Sequence, residues 1–344
     1  MNKAYIVAAD KITDNIGNLE RSTQLQGQIT QRGIAITQLE IDPLRADWHS
    51  PEEALHFRSG CAPIEALGTA LRLIQSGEQA VMIHGRDYIR SEYSREERQQ
   101  MMAVYGEHYP LTQAYTDLSY EFMRLQGIDA QRFAGLSEAL FENHKASYRN
   151  PAAQGIEGAQ DTLTENLPSE RWYKKVTALF RGVDCANPVV DFCGRLLICN
   201  ETLLSALNIP LDQTTEIKSV GLGRLPQDGK NQIANIAQYT HLRDAYQQAC
   251  HEAGLDFANM FRNGQALLDT YTCYPVVPMA FLLHGGFIER LEDLPDFLTR
   301  FNITVTGGMN LARGAWNNPA LNGLITLHQR LLSGEKTLGL VHGN

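Results

Sequence analysis

SGCAPIEALGTALRLIQSGEQAVMIHGRDYIRS, residues 59–91, is the stretch whose pattern decides the fold class. Between Ala62 and Gly77 the apolar residues Ile64, Leu67, Leu71 and Ile74 recur at helical spacing, so they share one face, and Gly77 supplies the stop. QAVMIHG at 79–85 follows at once and is short and largely apolar, as a buried strand is. A buried helix running straight into a buried strand is half of an α/β unit. The same alternation extends outward in both directions. YIVAA near the start, RLLICN at 195–200 and ITVTGG at 303–308 read as strands, and HLRDAYQQACHEAGLD and ALNGLITLHQRLLSG read as helices. The predicted class is a layered α/β protein.

One region breaks the alternation. From Arg90 to about Glu170 the chain is rich in Arg, Glu, Gln, Tyr and Met, and TDLSYEFMRLQG and QRFAGLSEALFENHKASY read as helices, so this is a helical insertion between two core strands. Strand grammar returns at DCANPVVDFCGRLLICN, and a second α/β half begins near Thr202. The expected division is 1–201, including the helical region at about 90–170, and 202–344. Both halves end in a helix that finishes with Ser-Gly before a strand, a faint mark of internal duplication.

Composition narrows the function. With 43% hydrophobic and 20% charged residues in 344, the chain can bury a large core, and disorder need not be invoked. A formal charge of −9 with scattered Lys and Arg leaves no basic face for nucleic acid, though a local basic pocket for a phosphorylated ligand is compatible with it. MNKAYIVAAD lacks the length and cleavage site of a signal peptide, and no stretch approaches the roughly 18 apolar residues of a spanning helix. A soluble, cytoplasmic protein with no membrane partner is expected. Cys61, Cys185, Cys193, Cys199, Cys250 and Cys273 form no CxxC pair and no cluster with histidine, so they are expected to be reduced, mostly buried and free of metal. The sequons at Asn200 and Asn302 carry no weight without an export signal, and GLGRLPQDG at 221–229 lacks the register of a dinucleotide loop.

Three separated segments, in order, resemble thiolases, and specifically the thiolase-like and sterol-carrier-protein-2-thiolase branch. Residues 59–91 resemble the region where a nucleophilic cysteine begins a buried helix. DTYTCYPVV at 269–277 lies where that branch carries a His-Asp-Cys-Phe motif, and residues 303–344 resemble the C-terminal Gly-Gly loop, helix and glycine-rich turn. DCANPVVDFCG falls in the place of the family's Asp-Gly-Ala-Ala strand. The resemblance implies a five-layered αβαβα thiolase fold of two similar halves, with the active site between them and a loop domain that helps to hold coenzyme A. It also implies a homodimer and, as in some thiolase-like proteins, a small OB-fold partner.

Thiolase-type chemistry needs a thiolate to take an acyl group, a base for the α-proton of a thioester, and donors for the oxyanions. Cys61, at the start of the 62–77 helix, is the candidate nucleophile, and the helix terminus is expected to lower its pKa. Counting back from Gly77, however, the family's nucleophile position falls on Gly60, so either the loop is one residue shorter or Cys61 is not the nucleophile. The resemblance gives Cys273 the proton-transfer role, with Tyr271 and Thr272 standing in for the motif's histidine and aspartate. The histidine of the family's Gly-His-Pro motif falls on Gly314, a loss worth about 100- to 10,000-fold if nothing replaces it.

Gly307, Gly308, Asn310, Gly314 and Asn317 are the candidate substrate-binding residues, although Asn310, Asn317 and Asn318 also suit turns, and the last two suit a cap before Pro319. His342, in the place of the family's Cys-x-Gly cysteine, is the third catalytic candidate; His108 and His144 lie in the loop region, while His284 and His328 read as structural. The function implied is an acyl-CoA acyltransferase of acetyl-CoA acetyltransferase type, active in lipid metabolism, with the coenzyme A thioester as substrate and no other cofactor. The alternative is a non-catalytic acyl-CoA-binding or scaffold protein of the same fold that works with a partner.

Overall fold

The computed structural model describes residues 2–45, 47, 50–148, 168 and 170–344, so most of the predicted loop region beyond 148 lies outside the described residues. Among the described residues, seven strands form one mixed sheet: β1 (Ala4–Thr13), β2 (Ile16–Asn18), β3 (Thr37–Ile41), β4 (His56–Phe57), β5 (Ala80–Tyr88), β6 (Asp191–Asn200) and β7 (Thr215–Glu216). Their order is β2-β1-β6-β5-β3-β4, with β7 also on β1. Strands β3, β4 and β5 are parallel, while β6 runs antiparallel to both of its neighbours.

Side chains alternate across this sheet; helices bury one face along its length and the other over part of it. Leu39, Val81, Ile83, Leu196 and Ile198 point to the face where α2 (Ala62–Ser76) and the helix Pro319–Leu332 pack, through Ile64, Leu67, Ile74, Leu321 and Ile325. Met82, Leu197 and Cys199 point the other way, against Leu25 and Ile29 of α1 (Glu20–Gln31) and Leu203 and Leu204 of the helix Glu201–Ala206. The predicted 62–77 helix and the strand after it are both present, and Gly77 ends the helix at φ +121°.

The helical insertion forms α3 (Arg95–Met101), opened by a Ser94–Glu97 capping box, α4 (Leu111–Gln126) and α5 (Ala130–Tyr148). Phe122 and Met123 of α4 and Phe133, Leu136 and Leu140 of α5 join the largest core with Met279, Phe281 and Phe297 from the helices Val276–His284 and Leu294–Arg300. The insertion is thus anchored on the C-terminal part of the chain.

That C-terminal part is not the equal of the first. Among its described residues the second sheet has two parallel strands, β8 (Ala266–Asp269) and β9 (Leu338–Val341), against seven in the first. The stretch 303–308, read above as a strand, forms none. Ile303 O accepts the Thr270 amide at 3.0 Å and the Thr270 hydroxyl at 2.8 Å. Asp269 Oδ1 then captures the amides of Val305 and Thr306 and the Thr306 hydroxyl at 2.9–3.0 Å. A carboxylate takes the donors that a neighbouring strand would have used. No helix among the described residues is long and apolar enough to cross a membrane.

Burial sets the acid response of this fold. It holds His144 and His328 down to about 4 and His342 down to about 3. The unfolded chain therefore takes up these protons first, and the stability present above the ordinary histidine range is lost as pH falls toward those values. Asp87 and Asp269, pushed up by burial to about 7 and about 6, keep their protons longer in the folded state and offset part of that loss. Replacing His328 with Gln, which retains a partner for Thr215 Oγ1, is expected to flatten the decline between about pH 4.5 and 6 by about 1.4 kcal/mol per pH unit. Urea unfolding at several pH values measures the slope, and an unchanged slope refutes it.

Candidate active site

The site begins with the turn into α2. Arg58, buried against Asp42 and paired with Asp42 and Asp47 at 2.7 Å each, anchors the end of β4. Ser59 follows in a positive-φ conformation (+123°), and its amide donates to Asn317 Oδ1 at 3.2 Å. Asn317 Nδ2 donates to Asp42 O at 2.9 Å, so this fully buried side chain ties two loops together and does not cap a helix. Asn318 occupies the N-cap position of the helix Pro319–Leu332, but its side chain makes no cap bond. At Gly60 a Cβ would run into Asn344 O and Tyr271 Oη, so only glycine allows the chain's C-terminal turn to approach here.

Cys61 stands next, half-buried, with its amide donating to Ser59 Oγ at 3.2 Å. Its thiol is pushed up to about 12, first by burial and then by the Glu65 carboxylate. The lowering expected from the helix terminus is outweighed, because removing a thiolate from water costs more than a half-buried terminus returns.

Tyr271, two residues before Cys273, places its hydroxyl against Gly60, the neighbour of Cys61. Its phenol is raised well above the ordinary value by burial, and both Cys273 and Cys61 lie close enough to add to the shift. Cys273 is buried in the turn between β8 and the helix Val276–His284. Burial pushes its thiol up to about 12, opposed by the Tyr115 hydroxyl and by the amides of Tyr274 and Cys273 itself. Tyr115, from α4, stacks on Tyr274 with ring centroids 4.2 Å apart, and its hydroxyl accepts from Asn344 Nδ2 at 3.1 Å. Four distant segments therefore converge: the start of α2, one face of α4, the turn after β8 and the C-terminal residue.

The other candidates lie around this cluster. His342 stacks on Phe281 at 4.3 Å, meets the Tyr271 ring edge-on at 6.5 Å, and finds no hydrogen-bond partner for either ring nitrogen among the described residues. With Tyr271, Gly308 and Gly314 it lines a cavity of about 10 Å³, room for one water. Gly307 and Gly308, both at positive φ, seat the loop on α5, where a Cβ would meet Tyr148 at 2.8 Å and His144 at 3.0 Å. The Asn310 side chain donates to Val183 O, and Gly314 donates its amide to Asn187 O at 3.1 Å. His108 is exposed, and His144 is buried beneath the Gly-Gly loop.

A cleft of about 240 Å³, walled by Tyr105, Tyr109, Ile233 and Ile236, reaches Tyr115 and Asn344 at its inner end. It adjoins a wider opening of about 950 Å³ beside Ser59, Glu65 and Arg224. The exposed Lys230 lines the cleft, with its ammonium 5.2 Å from the Tyr109 ring centroid, and Arg224, 72% exposed, lies at the opening. The sequence reading passed over Tyr115 and Asn344; for Tyr271 the signal was its place in the motif. Among the described residues no group of three His, Cys, Asp or Glu could hold a metal ion.

No protein-family model matches the chain, and no curated protein matches it. Solved structures do. The fold is similar to that of a monomeric SCP2-thiolase like protein type 1 from Mycobacterium smegmatis, at 15% identity and TM-score 0.65, over 99% of this chain and 74% of that one. It is also similar to the Ltp2-ChsH2(DUF35) aldolase, at 16% identity and TM-score 0.63, over 99% of this chain and 94% of that one. The chain has a thiolase-like fold, which agrees with the resemblance drawn from its three segments.

Proposed function

We propose that the protein makes or breaks the carbon–carbon bond beside the carbonyl of an acyl-CoA thioester, with Cys61 taking the acyl group and Cys273 carrying the α-proton. The observation that carries this reading is that the Tyr271 phenol packs against Gly60, beside Cys61, and feels both the Cys61 and Cys273 thiols. Acyl transfer onto Cys61 exchanges one thioester for another: the Cys61 sulfur forms the new C–S bond, the coenzyme A sulfur leaves, and the thiol proton passes to it. The Tyr115 hydroxyl and two amides aimed at Cys273 favour its thiolate, the form that accepts an α-proton. Lys230 in the cleft and Arg224 at its mouth suit the phosphates of coenzyme A. The division at about residue 201, the five-layered arrangement of two halves, a homodimer and acetyl-CoA as the simplest acyl donor belong to the same reading.

The high values of both thiols favour a second reading, an aldol-type cleavage without an acyl-enzyme, in which neutral phenols and thiols donate to the developing charge. The similarity to a protein named an aldolase supports it. That protein's name pairs Ltp2 with ChsH2(DUF35), which supports a small partner protein here too, as the scaffold alternative also requires.

Mass spectrometry of peptides after incubation with acetyl-CoA and longer acyl-CoAs, quenched at low pH, separates the readings. An acyl group on Cys61, lost in Cys61→Ala, is the expected result, whereas an adduct on Cys273 alone reverses the roles. Coenzyme A binding without any adduct sinks the acyl-enzyme. Cleavage of a 3-hydroxyacyl-CoA would then establish the aldol reading, and its absence the scaffold.

A further inference from the structure

We propose that Cys193, His84 and Glu40 form a second thiol site, on the outer face of the main sheet, that reacts with small electrophiles and hydroperoxides. The three residues come from adjacent strands. Glu40 of β3 stands opposite His84 of β5, and Cys193 of β6 stands opposite Arg86, two residues further along β5. Strand alternation puts all of them on the face turned away from α2, beyond the cover of α1.

The geometry is that of a nucleophile, a base and an orienting acid. Cys193 Sγ lies 3.6 Å from His84 Nε2, and His84 Nδ1 donates to Glu40 Oε2 at 2.9 Å. Each ring nitrogen is engaged by one neighbour, which fixes the imidazole and makes it a relay. His84 is pushed up to about 9, first by the contact with Cys193 and then by Glu40, so the imidazole next to the sulfur carries a proton at neutral pH.

Two arginines lie beside the site. Arg86 sits 4.3 Å above the Tyr88 ring and pairs with Glu92, and Arg195, two residues along β6, donates to Thr23 Oγ1 on α1 at 3.3 Å. On β1, Ile12 stands opposite Cys193, and the nearby Asp10 carboxylate is occupied by the Ser22 amide. Cys193 is 5% exposed, but the His84 and Glu40 side chains are 25% and 38% exposed, which opens the site from the imidazole side. Cys199 is the internal control. It lies on the same strand and face, and its thiol is pushed up to about 12 by burial alone.

The step with a hydroperoxide balances without another reagent. The Cys193 thiolate attacks one oxygen, the O–O bond breaks as the S–O bond forms, and the departing oxygen takes the His84 proton, leaving a sulfenic acid and water or an alcohol. Sulfur loses two electrons and the peroxide gains them.

Alkylation of the native protein with iodoacetamide near neutral pH, read at all six cysteines by peptide mass spectrometry, tests the site. Cys193 is expected to react at least about tenfold faster than Cys199, and to fall to the Cys199 rate in His84→Gln and part of the way in Glu40→Gln. After hydrogen peroxide, dimedone should label Cys193 in the parent and not in His84→Gln. Glu40→Gln, on an exposed side chain, keeps the test intact should His84→Gln lower the melting temperature. Equal Cys193 rates in the parent and Glu40→Gln, or dimedone on Cys250 and not Cys193, would each overturn the proposal.

Discussion

Replacing Asp269 with alanine is expected to cost the fold about 3–5 kcal/mol, the range for removing one partner from a buried charge network. Asp269 Oδ1 accepts from the amides of Val305 and Thr306 and from the Thr306 hydroxyl, and it holds the extended segment beside β8. The buried Lys11 has Asp269 as its compensating negative charge, and burial already lowers the Lys11 ammonium to about 8. Lys11 Nζ donates to Asn322 Oδ1 and Thr326 Oγ1 at 2.7 Å each, neutral partners that cannot replace a charge. In Asp269→Ala the amides lose their acceptor and the ammonium loses its counter-charge together. Asp269→Asn keeps an acceptor for the amides and is expected to lose only about 1–3 kcal/mol. Urea unfolding of the two variants separates the contributions, and an alanine variant as stable as the parent would show that the network is not an anchor. Because Tyr271 and Cys273 follow β8 directly, the alanine variant should also disturb the candidate site.

Cys273→Ala is expected to lower acyl-CoA turnover by about 100- to 10,000-fold, the range for removing a positioned acid–base group. Coenzyme A affinity should hold, since Arg224 and Lys230, the groups suited to its phosphates, line the openings and stay intact. Tyr115→Phe removes one of the three donors favouring the thiolate and is expected to cost less, about tenfold to 100-fold. Exchange of the thioester α-proton with deuterated solvent reads the role directly. Full exchange in Cys273→Ala would move the proton transfer to another group, with Tyr271 the first to examine.

What could be read from the sequence was local and periodic. The spacing of Ile64, Leu67, Leu71 and Ile74 with the stop at Gly77, and the apolar run that follows, describe α2 and β5 because a helix face and a buried strand are properties of neighbouring residues. The helices α4 and α5 were legible for the same reason. The three ordered segments pointed to a thiolase-like fold and singled out Cys61 and Cys273 by position.

Only the tertiary structure decided which distant residues meet and what charge they carry. No pattern in α4 sets Tyr115 apart from the other tyrosines, because its hydroxyl gains meaning from Cys273 and Asn344, which packing brings to it. The strand expected at 303–308 gave way to a carboxylate more than thirty residues earlier in the chain. Asn317, placed by its neighbours as a cap, was drawn to Asp42 and Ser59. Cys61 shows the limit most clearly, since the helix terminus that should lower its pKa is visible in the sequence and the burial that raises it is not. Periodicity assigns residues to a face, whereas strand register and desolvation depend on the whole fold. They alone set Cys193, His84 and Glu40 side by side and pushed the Cys61 and Cys273 thiols up.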